Sequence, residues 1–204
     1  MAVFATSDLH LFHANIIKYC NRPFSSVEEM NETIIKNWNK TVTPNDKIYV
    51  LGDFALPRGE DRESKVQKLN NVCSRLNGMK ILVYGNHDLF EPDEYLQAGF
   101  TYVNRGYIDV NECGSFFVMS HYQMTSWNRS HFGSFHLFGH EHWKRQWEPK
   151  HSIFSEMHWS ERKFNVCVDA NDFTPVDLNK IIETLSKRET NFKNGNDHRA
   201  EDNI

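Results

Sequence analysis

The feature that most constrains the fold is a repeated pairing of a short apolar run with a polar cluster that follows it directly. Such runs cover 2–6, 47–51 and 79–84. Their length and apolar content predict buried strands. Ligands bind at the carboxyl ends of the strands in open α/β sheets, so we expect these clusters to share one site. The clusters are Asp8 with His10, Gly52 with Asp53, Gly85 to Asp88, His121, and Gly139 to His142.

Helical patterns separate the strands in the first half of the chain. A helix capped by Ser25 or Ser26 is predicted to run to about Asn39, since its apolar residues recur at helical spacing. A second amphipathic helix is predicted over about 60–76, and a short one over 92–97. Alternating strands and helices are typical of α/β folds.

The second half is predicted to consist mostly of strands. Strand-like runs cover about 102–110, 115–120, 135–138 and 163–168, and a last helix is expected at 177–187. We therefore predict a layered α/β domain whose sheets are flanked by helices and whose site lies at the carboxyl ends of the strands.

The chain of 204 residues fits one domain, predicted over 1–189, with a polar and disordered tail at 190–204. The net charge of −4 argues against a general nucleic-acid coat. The four cysteines form no C-x-x-C pair, and neither a signal peptide nor a membrane span is evident. We therefore expect a reduced, cytoplasmic protein that does not enter a membrane.

The polar clusters supply the ligand types that divalent transition metals prefer, imidazole nitrogen and carboxylate oxygen. Asp8 and His10 are two residues apart, so in an extended segment they share a face, and His140 and His142 repeat that spacing. A carboxylate such as Asp53 can bridge two cations. Each motif alone is weak evidence for a metal site. All five in this order, each at a predicted strand end, indicate that they form one. Two ions about 3.5–4 Å apart would clamp a phosphoryl group and lower the pKa of a shared water.

These clusters resemble those of the calcineurin-like metallophosphoesterase family. The resemblance runs from Asp8 to His142, and more loosely to about Asp177, and is closest to small bacterial and phage members that begin D-x-H-x-x-H-x-N. It implies the layered α/β metallophosphoesterase fold and a catalytic role for His87 as general acid or as a stabiliser of developing charge. It implies one metal held by Asp8, His10, Asp53 and His142, and another held by Asp53, Asn86, His121 and His140.

One departure from the family separates this chain from the protein phosphatases. In that branch the second motif continues G-D-x-x-D-R, and its second Asp orients the catalytic His. Leu56 stands at that position here, which argues against a protein phosphatase and leaves the partner of His87 open. Asp88 is the adjacent candidate.

Further residues are candidates for substrate contact. His13, Asn15, Arg22 and Arg58 could bind a substrate phosphate, although the two arginines need no function to be explained. Four tryptophans could stack on a nucleobase or pack the loops on the core, and packing is favoured. They are Trp127, Trp143, Trp147 and Trp159. Five other histidines lack any motif and are not expected to be ligands: His131, His136, His151, His158 and His198.

The leading hypothesis is hydrolysis of a phosphodiester or phosphomonoester in a small nucleotide-type substrate. The nucleophile would be a hydroxide activated by two divalent metals. Mn²⁺ is favoured, and Fe, Ni²⁺, Co²⁺ and Zn²⁺ also suit the ligands. A nuclease acting on DNA or RNA ends is an alternative, although the sequence has no basic track for it. A scaffold that has lost catalysis is a third hypothesis, ranked last because every expected ligand position is filled. The oligomeric state stays open.

Overall fold

The apolar runs form two sheets in the computed structural model, which describes residues 1–58, 61–142 and 162–197. In chain order the elements are β1 (Val3–Thr6), α1 (Ala14–Tyr19), α2 (Val27–Thr41), β2 (Lys47–Leu51), α3 (Arg62–Arg75), β3 (Met79–Val83), α4 (Pro92–Gln97), β4 (Phe100–Asn104), β5 (Tyr107–Glu112), β6 (Ser115–Ser120), β7 (Phe135–Phe138), β8 (Lys163–Asn165), β9 (Val176–Asp177) and α5 (Leu178–Asp197).

The first sheet has the strand order β4-β3-β2-β1-β9. Strands β1 to β4 are parallel, and β9 pairs with β1 in the antiparallel direction. Thr6 lies opposite Val50 and Leu51 lies opposite Val83, so three strands end at nearly the same level. The loops that follow β1, β2 and β3 therefore leave the sheet side by side.

The second sheet has the order β5-β6-β7-β8. Only β5 is antiparallel to its neighbour; β6, β7 and β8 run parallel. A bridge between Ser7 and Cys167 joins the segments that follow β1 and β8. This bridge brings the carboxyl end of the second sheet to that of the first.

The core has two layers, one on each side of the first sheet. One layer packs apolar residues of α2 and α3, such as Ile34, Trp38 and Leu69, against the outer face of that sheet. The other fills the space between the sheets, and α5 contributes Ile181 and Leu185 to it. The predicted layered α/β architecture is confirmed.

Local signals in the sequence account for the helix starts. The Ser26 side chain accepts a hydrogen bond from the Glu29 N–H at 3.1 Å and caps α2. Asp61 does the same for α3 through the Ser64 N–H at 2.9 Å. Within the described residues, no helix is both long and apolar enough to cross a bilayer.

The structure differs from the sequence prediction in the second half. The single strand predicted over 102–110 is two strands, β4 and β5, which belong to different sheets. Arg105 and Gly106 form a bend between them, and because strands of both sheets share the same alternating pattern, the sequence does not reveal the change of sheet. The strand predicted over 163–168 ends at Asn165, and a 3-10 turn follows at Val168–Ala170.

The last helix is longer than predicted. Helix α5 continues to Asp197, ten residues beyond the predicted end at Lys187 and into the segment predicted to be a disordered tail. The rest of that segment, 198–204, lies outside the described residues.

Candidate metal centre

The predicted polar clusters meet where the strands of both sheets end. The segments after β1 and β2 run alongside each other: the Asp8 N–H donates to the Gly52 carbonyl and the His10 N–H to the Asp53 carbonyl, both at 2.9 Å. The Gly139 N–H donates to the His121 carbonyl at 2.9 Å, which joins the segments after β6 and β7. Parallel strand order thus converts distant sequence motifs into one cluster.

The backbone at this edge is strained. Asp8, His10, Asp53 and His140 adopt left-handed conformations with φ values of 58°, 51°, 55° and 68°. For residues other than glycine this costs about 1–2 kcal/mol each. Strain of this kind persists only where the surrounding structure enforces it, and it concentrates at functional sites. All four residues are predicted ligands, so the strain coincides with the candidate site.

Glycine lets the ends of β2 and β3 approach each other. A Cβ at Gly52, whose φ is +88°, would lie 2.5 Å from the Gly85 nitrogen. A Cβ at Gly85 would lie 2.2 Å from Asp53 Oδ1. Both distances are shorter than any real contact, so a side chain at Gly52 would force the ends of β2 and β3 apart, and one at Gly85 would push the Asp53 carboxylate away.

The Asp8 carboxylate is held by one oxygen. Its Oδ2 accepts hydrogen bonds from the Ser7 hydroxyl at 2.5 Å and from the His140 N–H at 2.9 Å. Its Oδ1 is buried without a hydrogen-bond partner among the described residues and lies 3.7 Å from His142 Nε2. One oxygen fixes the carboxylate, and the other is left for a ligand.

Asp53 repeats this arrangement at the centre of the cluster. Its Oδ1 accepts the His87 N–H at 2.8 Å. Its Oδ2 lies 3.4 Å from His10 Nε2 and 3.7 Å from His121 Nε2. Burial is the main cause that raises the pKa of Asp53 to about 7; the charge of His121 opposes it and that of Asp8 adds to it. This one oxygen faces the imidazoles of both predicted metal sites.

His121 and Asn86 present acceptor atoms to each other. The His121 Nδ1–H donates to the Leu51 carbonyl at 2.8 Å, so the neutral ring carries its lone pair on Nε2. That nitrogen lies 2.9 Å from Asn86 Oδ1, which is also an acceptor. The His140 ring packs edge-on against His121 with centroids 5.1 Å apart. A cation shared by these atoms would remove the repulsion between the two acceptors.

His142 is oriented from behind. Its Nδ1 donates to Asp169 Oδ2 at 2.7 Å, so Nε2 points toward Asp8. Burial alone would lower the pKa of His142, but hydrogen bonds with Asp169 and Cys20 and the charge of Asp8 outweigh it and raise the pKa to about 10. Such a hydrogen bond to the remote nitrogen is the usual support for a histidine metal ligand.

The donor set fits divalent cations. Asp8, His10 and His142 offer ligand atoms within 4.8 Å of one another, and so do Asp8, Asp53 and His121. His10 is buried, and its Nε2 has no hydrogen-bond partner in the part of the chain that the structure describes. Burial, followed by the charges of His142 and Arg22, holds the pKa of its imidazole far below the usual range. A buried neutral imidazole without a partner beside a buried carboxylate oxygen without a partner is costly unless a cation joins them.

The His87 side chain borders this cluster, and Asp88 does not orient it. The His87 ring lies 5.4 Å from that of His10 and is half-buried. The Asp88 carboxylate instead accepts the N–H groups of Gly85, Asp53 and Phe54 and the Tyr95 hydroxyl. It therefore fixes the loops that carry the ligands, and the suggestion that Asp88 partners His87 is wrong.

His13 and Arg58 lie on the side of the site next to His87. His13 occupies the N-cap position of α1 without capping it: its Nδ1 lies 3.4 Å from His10 Nδ1, and no described residue hydrogen-bonds its buried Nε2. Burial first, then the charge of Arg58, lower the pKa of His13 to about 4, and the same two causes lower that of His87. Asn15 is exposed on the first turn of α1.

Arg22 lies behind the ligands and not in the cleft. It is 3% exposed, and its guanidinium donates to Asp169 and to the carbonyls of Asp8 and Leu9. This placement contradicts the predicted contact between Arg22 and substrate, because its donors are used inside the protein.

The remaining candidates are placed by packing. Leu56 is buried in the core and supplies no partner for His87. Trp127 stacks on His136 with centroids 5.4 Å apart, as the packing interpretation expects. His131 is exposed in a 3-10 turn. The other tryptophans and histidines without a motif lie outside the described residues: Trp143, Trp147, Trp159, His151, His158 and His198.

Sequence reasoning missed Asp169 and Tyr122. Asp169 follows β8 closely, so the rule that located the other clusters would have found it. Tyr122 follows His121, and its ring lies 4.6 Å from that of His140 with 53% of the residue exposed. No motif marks Tyr122, and only the three-dimensional arrangement places it at the rim.

Comparison with known proteins identifies a family and several relatives of this chain. The model of the calcineurin-like phosphoesterase family matches residues 1–198. The chain is 35% identical over 185 residues to the uncharacterized protein MJ1445 of Methanocaldococcus jannaschii, covering 91% of this chain and 92% of that protein. It is also 32% identical over 83 residues to the gene 66 protein of Mycobacterium phage L5, covering 41% of this chain and 38% of the phage protein.

A solved structure has the same fold. The crystal structure of the protein of unknown function AQ665 from Aquifex aeolicus superposes with a TM-score of 0.66 at 24% identity, covering 89% of this chain and 98% of that one. At this identity the likeness concerns the fold alone.

Proposed function

The chain belongs to the calcineurin-like phosphoesterase family, and from this premise we propose that it hydrolyses a phosphodiester or phosphomonoester of a nucleotide-type substrate at a centre of two divalent metals. The observation that carries the proposal is Asp53 Oδ2, which lies 3.4 Å from His10 Nε2 and 3.7 Å from His121 Nε2. A carboxylate in this position can bridge two cations. One cation is assigned to Asp8, His10, Asp53 and His142, and the other to Asp53, Asn86, His121 and His140.

When bound, the two cations, with Mn²⁺ favoured, supply Lewis-acid polarisation of the phosphoryl group and lower the pKa of a water. The chain's own residues contribute orientation and proton transfer. Asp8 and Asp53 are each fixed through one oxygen, which keeps the other directed into the site. This preorganisation avoids reorientation during the reaction.

His87 is assigned the role of general acid toward the leaving oxygen. Its ring lies beside that of His10, and its backbone N–H donates to Asp53, which ties its position to the centre. Its half-buried side chain can therefore reach a bound phosphoryl group. Burial, followed by the charge of Arg58, lowers the pKa of His87 from its ordinary value.

His13 and Arg58 are assigned to the substrate phosphate. The unpaired His13 Nε2 and the charge of Arg58 lie on the same side of the centre as His87. An anionic phosphate there would satisfy His13 and be neutralised by Arg58. Asn15, exposed on the first turn of α1, is a further candidate for this contact.

Tyr122 supports a substrate with an aromatic group. Its exposed ring at the rim beside His121 and His140 can pack against a nucleobase. Tyr107, which is also 53% exposed but lies on β5, is the matched control. We expect Tyr122→Ala to raise KM for a nucleotide diester and leave KM for a methyl phosphodiester unchanged, whereas Tyr107→Ala should change neither. Equal effects of the two substitutions would remove the nucleotide assignment.

The proposal as a whole is tested by metal content and a substrate panel. Protein loaded with Mn²⁺ should bind two ions per chain and hydrolyse bis-p-nitrophenyl phosphate, and a panel of cyclic nucleotides, nucleotide diesters and single-stranded DNA should identify the natural class. Preference for DNA ends would favour the nuclease alternative. Protein that gains neither thermal stability nor activity with Mn²⁺ would favour the scaffold. A cytoplasmic location stays a prediction, supported by the four free cysteines.

A further inference from the structure

A buried ion pair lies directly behind the candidate centre. Arg22 and Asp169 are 147 residues apart in sequence, and both side chains are fully buried. The guanidinium contacts both carboxylate oxygens, with Nε 3.0 Å from Oδ1 and Nη2 2.7 Å from Oδ2. This two-point geometry fixes both planes relative to each other.

Each member of the pair also holds a segment that carries a ligand. Arg22 Nη2 donates to the Asp8 carbonyl at 2.7 Å, and Nη1 donates to the Leu9 carbonyl at 3.0 Å. Asp169 Oδ2 accepts the Nδ1–H of His142 at 2.7 Å. The pair therefore connects the segment after β1, where the backbone is strained, with the ring of His142, which lies four residues beyond the end of β7.

Stability alone gives a poor account of this pair. A buried ion pair is often no more stabilising than apolar residues of the same volume, because both charges lose their hydration. Here Arg22 donates to the backbone of Asp8, and Asp169 accepts from the side chain of His142. Asp8 and His142 are predicted ligands of the same cation. The geometry is that of a support for ligands.

We propose that Arg22 and Asp169 are positioning residues that hold Asp8 and His142 at the spacing required by one of the two cations, the one shared with His10. Among the described residues, the three assigned to the second cation alone, Asn86, His121 and His140, are hydrogen-bonded to each other, to Leu51 and to Asp8, and not to Arg22 or Asp169. The pair therefore governs one metal site and not the other. This inference rests on the proposed two-metal centre.

The test measures Mn²⁺ binding to the Asp169→Asn and Arg22→Lys variants by calorimetry and by electron paramagnetic resonance. Asparagine keeps the shape of Asp169 but weakens its hydrogen bonds with His142 and Arg22, and lysine keeps the charge of Arg22 but loses the two-point contact. We expect one of the two Mn²⁺ ions to bind about 10–100-fold more weakly and the other to be unchanged. At low Mn²⁺ the spectrum should change from that of a coupled pair to that of an isolated ion.

Lys47→Met is the control. It removes a partly buried ion pair with Glu112 at the start of β2, the end of the strand opposite the site. It should lower the melting temperature without changing the affinity for either Mn²⁺, which separates loss of stability from loss of positioning.

The outcomes are distinct. Weakening of one Mn²⁺ only, in protein that circular dichroism shows to be folded, supports the inference. Unchanged binding overturns it, and so does equal weakening of both ions. Should one variant fail to fold, the other decides. Wild-type protein that binds fewer than two Mn²⁺ would instead contradict the proposed function. This stoichiometry is measured on the wild type alone and does not depend on the variants.

Discussion

Two regions of this protein bury histidine beside other polar groups, and they do so in opposite ways. In the second sheet, His136 is fully buried, its Nδ1–H donates to the Val118 carbonyl at 3.0 Å, and its Nε2 accepts the Met124 N–H at 2.9 Å. At the strand ends, His10 is equally buried, but its Nε2 has no hydrogen-bond partner within residues 1–58, 61–142 and 162–197. A buried polar atom without a partner is unfavourable, so the contrast distinguishes a histidine that serves packing from one that awaits a ligand.

The backbone differs in the same sense. Residues of β7 around His136 have ordinary strand conformation, whereas Asp8, His10, Asp53 and His140 have positive φ values. Strain and unpaired atoms therefore occur together at the strand ends, while the interior of the second sheet has neither at His136. The strained backbone and the unpaired atoms at the strand ends lower the stability of the fold, and a cation bound there would raise it.

The largest effect is expected from Asp53→Asn, which tests the unpaired side of the comparison. The amide keeps the size of the side chain but removes the negative charge shared by both cation sites. We expect loss of measurable turnover and weaker binding of both Mn²⁺ ions, assayed by metal analysis and hydrolysis of bis-p-nitrophenyl phosphate. Retention of both ions with full activity would contradict the bridging role.

His87→Ala should separate catalysis from metal binding. Because no cation is assigned to this side chain, both Mn²⁺ ions should stay bound. The catalytic rate should fall by about 10²–10⁴-fold, the usual contribution of a general acid. The rate for a substrate with a good leaving group should fall less, since it needs no proton. A uniform loss across leaving groups would remove the assignment as general acid.

Gly85→Ala tests how closely the strand ends must approach. The new Cβ would lie 2.2 Å from Asp53 Oδ1, so the carboxylate must move and the affinity for Mn²⁺ should fall by roughly tenfold or more. Gly106→Ala is the matched control, because only Asn104 Oδ1 lies near its Cβ, at 3.7 Å. Calorimetric titration of both variants should show a loss for Gly85→Ala alone.

The last prediction concerns His136, whose ring nitrogens are both hydrogen-bonded, and it affects stability and not metal binding. Burial lowers the pKa of His136 to about 4, although its hydrogen bond to Val118 opposes this. Between that value and the ordinary pKa of about 6.5, the unfolded chain binds a proton that the folded chain does not. The contribution of His136 to stability is therefore present above pH 6.5 and is lost as the pH falls toward 4, by up to roughly 3 kcal/mol.

Denaturant unfolding at pH 7 and pH 5 measures this loss. His136→Gln keeps a donor and an acceptor without a titrating proton, so its stability should depend less on pH than that of the wild type. The same pH dependence in both proteins would show that His136 does not titrate as its burial requires.

The strands that lead to the candidate site could be predicted from the sequence better than the contacts among its residues. The short apolar runs before Asp8, Asp53 and Asn86 were sufficient to predict three strands, because a buried strand has a strong local signal. The change of sheet between β4 and β5 could not be predicted, because which neighbour a strand pairs with depends on distant residues. Helix α5 continues past its apolar pattern, and its end was missed for that reason.

The support for the ligands was the least predictable part. Arg22 has the sequence environment of a surface arginine, and only folding brings it to Asp169. Asp88 was considered as a partner for His87 because the two are adjacent, yet its carboxylate holds backbone N–H groups of two neighbouring loops. Contacts of this kind depend on side-chain directions, which spacing does not encode at strand ends where the backbone leaves the regular pattern.

The bridge between Ser7 and Cys167 has a consequence for how the protein matures. It joins an early segment of the chain to one that is synthesised much later, and the proposed centre draws ligands from Asp8 to His142. A chain emerging from the ribosome has only part of this centre until both sheets have been made. We therefore expect metal acquisition to follow folding of the whole domain, so that a full complement of ions identifies a molecule that was completed correctly.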